Sequence, residues 1–416
     1  MRSINYLLIG GGLVCHNAAK AIRRRDDAGS VLMVCDEPHR PYNRPPLSKA
    51  FMQGKSPLEE AFVEPDDWYA THRVHLRLST AVIALNPREH EATLGGGEII
   101  RYDRALLGTG GRAVEAALPG DELSGVHTLR TMHDAATVSR TVASSRKTVI
   151  LGGGFIGVEL AGSLTRRGLA VTLVHPGERI YSRFAGPMLA EFVETRCREH
   201  GVEFVAGQKA VAFHGQDGAL RSVELQDGRR LPCDLAVAAM GIVPNVDLAT
   251  QAGLEVRDGV VVNGWLQTSD GDVYAGGDIA NFLDPYSGRR RRVEHWGQAD
   301  YTGTLAGQNM AGASNTYELL PYLWTDVFDV HIEFAGDEHA PVDTAILRGQ
   351  PADGRFALLH LHAHRVAACY AVNLKRAAYG PLQRLIEHRV NVNGLEPQLA
   401  DTTFDVTTLL PPSQAA

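Results

Sequence analysis

Residues 4–12 read Ile4-Asn5-Tyr6-Leu7-Leu8-Ile9-Gly10-Gly11-Gly12, and residues 148–157 read Thr148-Val149-Ile150-Leu151-Gly152-Gly153-Gly154-Phe155-Ile156-Gly157. Each is an apolar run that stops at glycines and continues as a helical pattern. After the first, Ala18, Ala19 and Ile22 recur at helical spacing through Arg25. After the second, Glu159, Leu160 and Leu164 lead to Gly168. A second apolar run follows each helix: Val31 to Cys35, ending at Asp36 and Glu37, and Ala170 to Val174. Strand, glycine turn, helix and strand make a βαβ unit, which implies a parallel sheet with a right-handed crossover. The fold is therefore α/β, with two Rossmann-like dinucleotide-binding domains.

The glycines have a definite task. A helix N-terminus leaves backbone N–H groups unpaired and carries partial positive charge. A dinucleotide pyrophosphate sits there when the strand-to-helix turn is tight and free of side chains. Gly10 and Gly12, with Leu13 opening the helix, supply this in the first copy. Gly152 and Gly154, with Phe155 and Ile156, supply it in the second. The third glycine lets helix and strand pack closely. Gly157 fills that place, whereas Cys15 occupies it in the first copy and calls for a slightly wider helix–strand spacing. A carboxylate after the second strand bonds the ribose hydroxyls. Asp36 and Glu37 provide it in the first copy. In the second, the position holds His175, with Glu178 three residues on as a substitute and Arg179 as a candidate for a 2′-phosphate. Two dinucleotide sites in one chain suggest an electron relay. One cofactor is held tightly and the other exchanges. FAD suits the first role because a flavin takes a hydride and gives single electrons.

The 416 residues suggest two to three domains. There are 41 Lys plus Arg against 48 Asp plus Glu, a net charge of −7, which argues against general nucleic-acid binding. Five cysteines at 15, 35, 197, 233 and 369 form no C-x-x-C pair and no disulfide framework, pointing to a reducing, cytoplasmic setting. No apolar stretch reaches the ~18 residues of a membrane helix. Leu94 to Glu98 reads as a hairpin turn, and Leu225 to Gly241 as a further hairpin and strand. Beyond about residue 318 short alternating strands appear, including Arg355 to His364 and Arg365 to Val372, as in an α+β domain, and the last twenty or so residues carry little periodicity.

Pro41-Tyr42-Asn43-Arg44-Pro45-Pro46-Leu47-Ser48-Lys49 resembles the PYxRPPLSK signature of FAD-dependent ferredoxin and rubredoxin reductases, with the apoptosis-inducing-factor-like and monodehydroascorbate-reductase-like flavoproteins. Gly108-Thr109-Gly110 is similar to the family's ATG motif with Gly for Ala, and residues 152–162 to its pyridine-nucleotide fingerprint. Gly241-Ile242-Val243-Pro244-Asn245 resembles its GxxPN turn. Thr268-Ser269 with Asp272 to Asp278 resembles its second flavin motif, and Val293-Glu294-His295-Trp296 and Pro321-Tyr322-Leu323-Trp324 complete the series. The resemblance implies a glutathione-reductase-like plan without the redox dithiol. A discontinuous FAD domain covers 1–112 and 242–315, an NAD(P)H domain 113–241, and a C-terminal α+β domain 316–416.

By the same resemblance, Arg44, in a loop fixed by Pro45, pairs with the FAD pyrophosphate. Lys49 approaches flavin N5 and pairs with Glu159, where positive charge stabilises reduced flavin; an exposed helical glutamate is the competing reading of Glu159. Asp278 bonds the ribityl chain. Thr109, Gly110, Glu294, His295 and Trp296 line the flavin, Trp324 stands beside it, and Gly241 lies at the nicotinamide side. Electron flow runs from NADH or NADPH, with NADH favoured, through FAD to a ferredoxin or rubredoxin of an oxygenase system. A small acceptor such as a quinone or an ascorbate-type radical, or an apoptosis-inducing-factor-like redox-sensing role, is the alternative. His175-Pro176 and Asp326-Val327-Phe328-Asp329-Val330, where ferredoxin reductases read closer to Ser-Asp-Gln, stand nearer those other branches. The Arg289-Arg290-Arg291-Arg292 run is either a docking patch for an acidic ferredoxin or a solvated loop. His360, His362 and His364 share one strand face, read as a polar face rather than a metal site.

Overall fold

The structure is a computed structural model that describes residues 2–182 and 184–412. The chain folds as two compact units: residues 1–45, 59–112 and 242–321 form the first, and 46–58, 113–241 and 322–416 the second.

In the first unit, the strand Arg2–Ile9 lies between Val31–Val34 and Ile99–Leu107, parallel to both. Val74–Arg77 extends the sheet on one side, and Val273–Ala275 pairs in parallel with the end of Ile99–Leu107. The start of Ile99–Leu107 turns instead into the antiparallel strands Glu91–Leu94 and Val82–Asn86, across the expected 94–98 hairpin. Tyr6, Leu7, Leu8 and Ile9 are all buried, as a parallel strand covered on both faces requires. Truncating Leu7 or Leu8 to alanine would cost about 2–5 kcal/mol.

The helix Leu13–Arg25 buries Val14, Cys15, Ala18, Ala19 and Ile22 and ends on three arginines that complement its negative pole. The helix Trp296–Met310 crosses it closely. A Cβ at Gly303 would run into the Val14 carbonyl oxygen, and one at Gly307 into that of Ala18. Only glycine at these two positions allows that approach.

The second unit holds a five-stranded all-parallel sheet in the order Glu203–Ala206, Ala170–His175, Lys147–Leu151, Leu235–Ala238, Val126–Thr128. Beside it runs the antiparallel meander Ala210–Gln216, Ala219–Leu225, Arg230–Pro232. Residues 322–412 add an antiparallel sheet in the order Tyr322–Val327, Val330–Gly336, Arg365–Val372, Arg355–His362, Thr344–Gln350, with the helix Arg376–Glu387. The strand expected over 355–364 stops at His362, because Ala363 and His364 take positive φ in the turn. Only His360 and His362 therefore share a face. Among the described residues no helix is long and apolar enough to cross a membrane. All five cysteines are free and buried.

Candidate functional site

Gly10 ends the first strand with φ +132°, a conformation that L side chains avoid, and a Cβ there would run into the Gly108 carbonyl oxygen. Gly12 is the N-cap of the helix Leu13–Arg25 and has open space around it. Helix N–H groups facing open space, with no side chain in the way, fit the pyrophosphate of a dinucleotide.

Cys15 of the first fingerprint and Gly108 of the Gly108-Thr109-Gly110 motif meet each other. A Cβ at Gly108 would lie 2.6 Å from Cys15 Sγ. Glycine at 108 leaves the room that the Cys15 side chain occupies. At Gly157, the third glycine of the second copy, a Cβ would run into Gly152 O, the close approach that a glycine there allows.

Around this cradle, Thr109 donates to the Asn245 carbonyl (2.7 Å) and Asn245 Nδ2 returns a bond to the Thr109 carbonyl (3.0 Å), locking the two turns together. Asp36 is exposed and Glu37 half-buried just past the strand Val31–Val34. Glu37 accepts from Tyr42 OH (2.7 Å) and from Arg44 (3.1 Å), and Arg44 also donates to Tyr42 OH (3.0 Å). Burial alone would loosen the guanidinium proton, but Tyr42, Glu37 and Asp278 more than reverse this, so Arg44 stays a fixed cation. Asp278 lies half-buried in the short turn Gly277–Ile279, its carbonyl accepting from Arg292 (2.9 Å). Trp296 Nε1 donates to Asn43 (2.9 Å), tying the 293–296 motif to the Pro-rich loop. Pro45 opens the short helix Pro45–Ser48, and Glu294 and His295 lead into the helix that Trp296 begins.

The second cradle repeats the first. Gly152 has φ +125°, and a Cβ there would run into Ala239 O; Gly154 is the N-cap of Phe155–Arg166 with open space around it. Phe155 packs edge-on against Phe184, Ile156 is exposed on the first turn, and Gly241 lies just past the strand Leu235–Ala238. His175 ends its strand only 2% exposed; burial lowers its pKa against the pull of Glu194, so the ring is neutral at pH 7. Glu178 is exposed.

Arg179 is held by Glu194 (2.8 Å) and approached by Glu191 (3.5 Å). Glu194 is 2% exposed and also accepts from Ile180 N (3.1 Å) and Arg198 (3.1 Å). No sequence pattern singles out Glu194, which sits inside the helix Pro187–Glu199.

Lys49 and Glu159 do meet. Glu159 is 6% exposed and accepts from Ser48 Oγ (2.6 Å) and Thr325 Oγ1 (2.7 Å), with Lys49 Nζ at 3.3 Å. The exposed-helix reading of Glu159 is thereby excluded, and burial raises its pKa against Lys49 and the two hydroxyls. Lys49 also reaches Asp326 (2.7 Å), and Asp326 reaches His331 Nδ1 (2.6 Å). Burial would push the Asp326 carboxyl up, but His331 and Lys49 outweigh it and hold it at about 2. Sequence reasoning missed Thr325, Asp326 and His331. Their one signal is alternation along two strands paired Trp324 to Glu333 and Asp326 to His331. Trp324 is half-buried and lines a cavity of about 530 Å³ with Tyr322, His331, Glu333, Arg376 and Tyr379.

The arginine run is only partly a surface feature. Arg289 and Arg290 are exposed, and Arg290 donates to the Val262 and Asn281 carbonyls (3.0 Å each). Arg291 turns in to the buried Asp284 (3.4 Å), and Arg292 binds Asp258 (3.1 Å) and Glu294. His362 faces Asp343 at 3.3 Å, and among the described residues no group of three or more His, Cys, Asp or Glu is placed to hold a metal.

Two dinucleotide cradles of one design define an oxidoreductase that joins a resident nucleotide cofactor to an exchanging one. The chain belongs to the pyridine nucleotide-disulphide oxidoreductase family, matched over residues 4–303, and its residues 322–410 match the reductase C-terminal family. It is an FAD-dependent NAD(P)H oxidoreductase. It is 32% identical over 97% of its length, and 99% of the relative's, to the anthranilate 1,2-dioxygenase system ferredoxin–NAD(+) reductase component of Burkholderia cepacia. It is 31% identical to putidaredoxin reductase of Pseudomonas putida, over 95% of this chain and 94% of that one. Among solved structures it is similar to the ferredoxin reductase of the CYP199A2 system from Rhodopseudomonas palustris (TM-score 0.93, 28% identity, 98% of this chain and 100% of that one). It is also similar to the reductase in the covalent putidaredoxin reductase–putidaredoxin complex (TM-score 0.92, 30% identity, 98% of each).

Proposed function

We propose that this chain passes electrons from NADH to a ferredoxin-type iron–sulfur protein that feeds an oxygenase, working in the cytoplasm. The observation that carries this reading is similarity over almost the whole chain, C-terminal residues included, to a reductase component named for an oxygenase system. Bound FAD takes up the two electrons of a hydride together and releases them singly, as linking a nicotinamide to a one-electron acceptor requires.

The FAD domain is 1–112 with 242–315, the nicotinamide domain 113–241, and the C-terminal domain 316–416. Gly10, Gly12 and Leu13 present backbone N–H groups to the FAD pyrophosphate, with Arg44 as the neutralising cation. Asp36 and Glu37 bond the adenosine ribose, and Asp278 the ribityl chain. Pro45, Thr109, Gly110, Glu294, His295, Trp296 and Trp324 shape the flavin pocket and exclude water. Gly152, Gly154, Phe155, Ile156 and Gly157 receive the nicotinamide dinucleotide, with His175, Glu178 and Gly241 beside it. Lys49, positioned by Glu159, carries the charge that answers reduction.

NADH is preferred because Glu194 and Glu191 hold Arg179, the cation that a 2′-phosphate would need. The five free, buried cysteines support a reducing compartment. The test is steady-state turnover with NADH against a panel of ferredoxins, rubredoxins and quinones. Saturable reduction of an iron–sulfur protein is expected. Turnover with quinones alone would replace this reading with that of a small-acceptor reductase.

A further inference from the structure

The family resemblance pairs Lys49 with a single glutamate, Glu159. Here it stands between two carboxylates, Glu159 at 3.3 Å and Asp326 at 2.7 Å, and Asp326 is shared in turn with His331 at 2.6 Å. Four titratable groups thus form an unbroken chain within one unit. It starts at Glu159, 6% exposed, and ends at His331, whose side chain is 42% exposed. With Glu159 ionised, the first three groups sum to a net charge of −1, so Lys49 is over-neutralised. One proton on His331 brings the chain to zero. If Glu159 holds its proton instead, both totals rise by one and the difference made by His331 is the same.

We propose that His331 sets the charge that Lys49 presents: protonated, it takes Asp326 and leaves Lys49 to Glu159; neutral, it yields Asp326 to Lys49. His331 is a positioning residue acting through Asp326. This rests on the proposed function, in which Lys49 stands by the flavin.

The charged and titratable groups facing His331 are few. Asp326 lies on the paired strand, Lys49 comes from the 46–58 segment, and Glu333 shares its own strand. Tyr322 on the strand Tyr322–Val327, and Arg376 and Tyr379 on the helix Arg376–Glu387, line the same cavity. The neutral Asn373, just past the strand Arg365–Val372, accepts from His331 N. Asp326 is thus the carboxylate bonded to the ring, and it raises the imidazole pKa above its ordinary value, with burial opposing.

The consequence is a proton linked to electron uptake. Hydride uptake from NADH, released as NAD⁺, would add one negative charge to bound FAD. A neutral His331 then binds a proton from water, and that proton returns when the electrons depart. By reciprocity, protonation of His331 favours the reduced flavin.

The test compares flavin midpoint potentials of wild type and His331→Gln from about pH 6 to about pH 9, a range that brackets ordinary histidine titration. The wild-type potential is expected to stand above that of the variant at the acid end and converge on it at the alkaline end, in one step. In parallel, NMR titration of histidine-labelled apoprotein should place His331 above its usual value in wild type and lower in Asp326→Asn. A potential difference that does not change with pH overturns the proposal, as does a His331 titration indifferent to Asp326. A chain that takes up no FAD overturns the parent reading as well, and absorbance of the reconstituted protein separates that case from the other two.

Discussion

Replacing Gly108 with alanine should destabilise the first cradle, and removing the Cys15 side chain should cure it. The backbone of Gly108 is not in the left-handed region, so alanine there carries no conformational strain. Taken alone, Gly→Ala at a compatible site stabilises by about 0.4–1 kcal/mol through the unfolded chain. The new Cβ, however, would lie 2.6 Å from Cys15 Sγ, with Val14 Cγ1 at 3.4 Å and Val14 Cβ at 3.5 Å. Cys15 is fully buried, so its sulfur has no solvent to move into. Overpacking of this kind costs about 1–3 kcal/mol, which outweighs the gain. Cys15→Gly costs only about 0.3 kcal/mol in helix propensity, because cysteine already ranks just above glycine, plus lost burial. In that background Gly108→Ala should be neutral or stabilising. The double-mutant cycle, read from urea unfolding of the four proteins, should give a favourable coupling of about 1–3 kcal/mol. If Gly108→Ala costs the same with and without the Cys15 side chain, the reasoning is refuted, and Cys15 and Gly108 are unrelated departures.

Arg44→Ala should weaken FAD binding by about 1.5–3 kcal/mol, roughly 10- to 150-fold, measured by flavin fluorescence quenching on the apoprotein. Gly307→Ala pushes a Cβ against the Ala18 carbonyl and should separate the helices Leu13–Arg25 and Trp296–Met310, lowering the melting temperature and releasing FAD on dilution; an unchanged melt would show that the crossing has slack. His16 is fully buried beside Tyr69 OH (3.0 Å) and Glu64 (3.5 Å), and burial lowers its pKa to about 4. It is neutral in the fold and takes a proton near 6.5 when unfolded. Its contribution is therefore complete above about pH 6.5 and lost as pH falls to about 4, up to about 3 kcal/mol. His16→Gln should flatten that part of the stability-against-pH curve measured by urea unfolding, and a parallel curve would show that His16 is not the group responsible.

The fold was legible where periodicity and glycine spacing speak directly. Tyr6 to Ile9 and Thr148 to Leu151 are buried strands, and Gly10 and Gly152 sit at turns that nothing larger fits. The pairing of Lys49 with Glu159 followed from resemblance. Its surroundings did not, because Ser48, Thr325, Asp326 and His331 come together only through strand pairing and long-range packing, of which the sequence shows no more than the alternation along the two strands. Glu194 was hidden for a different reason. A carboxylate in the helix Pro187–Glu199 looks like any solvated glutamate until Arg179, Arg198 and Ile180 N converge on it. The arginine run misled in the opposite sense. Four consecutive charges read as surface, yet Arg291 turns in to the buried Asp284 seven residues before it, and the largely buried Arg292 reaches Asp258, 34 residues away.

That reducing equivalents pass from a visiting nicotinamide to a resident flavin within this one chain is tested most directly by anaerobic stopped-flow mixing of the FAD-loaded protein with NADH. The flavin absorbance near about 450 nm should bleach at a rate that saturates with NADH and recover when an iron–sulfur acceptor is added. A protein that binds FAD but stays yellow in excess NADH and NADPH would contradict the account.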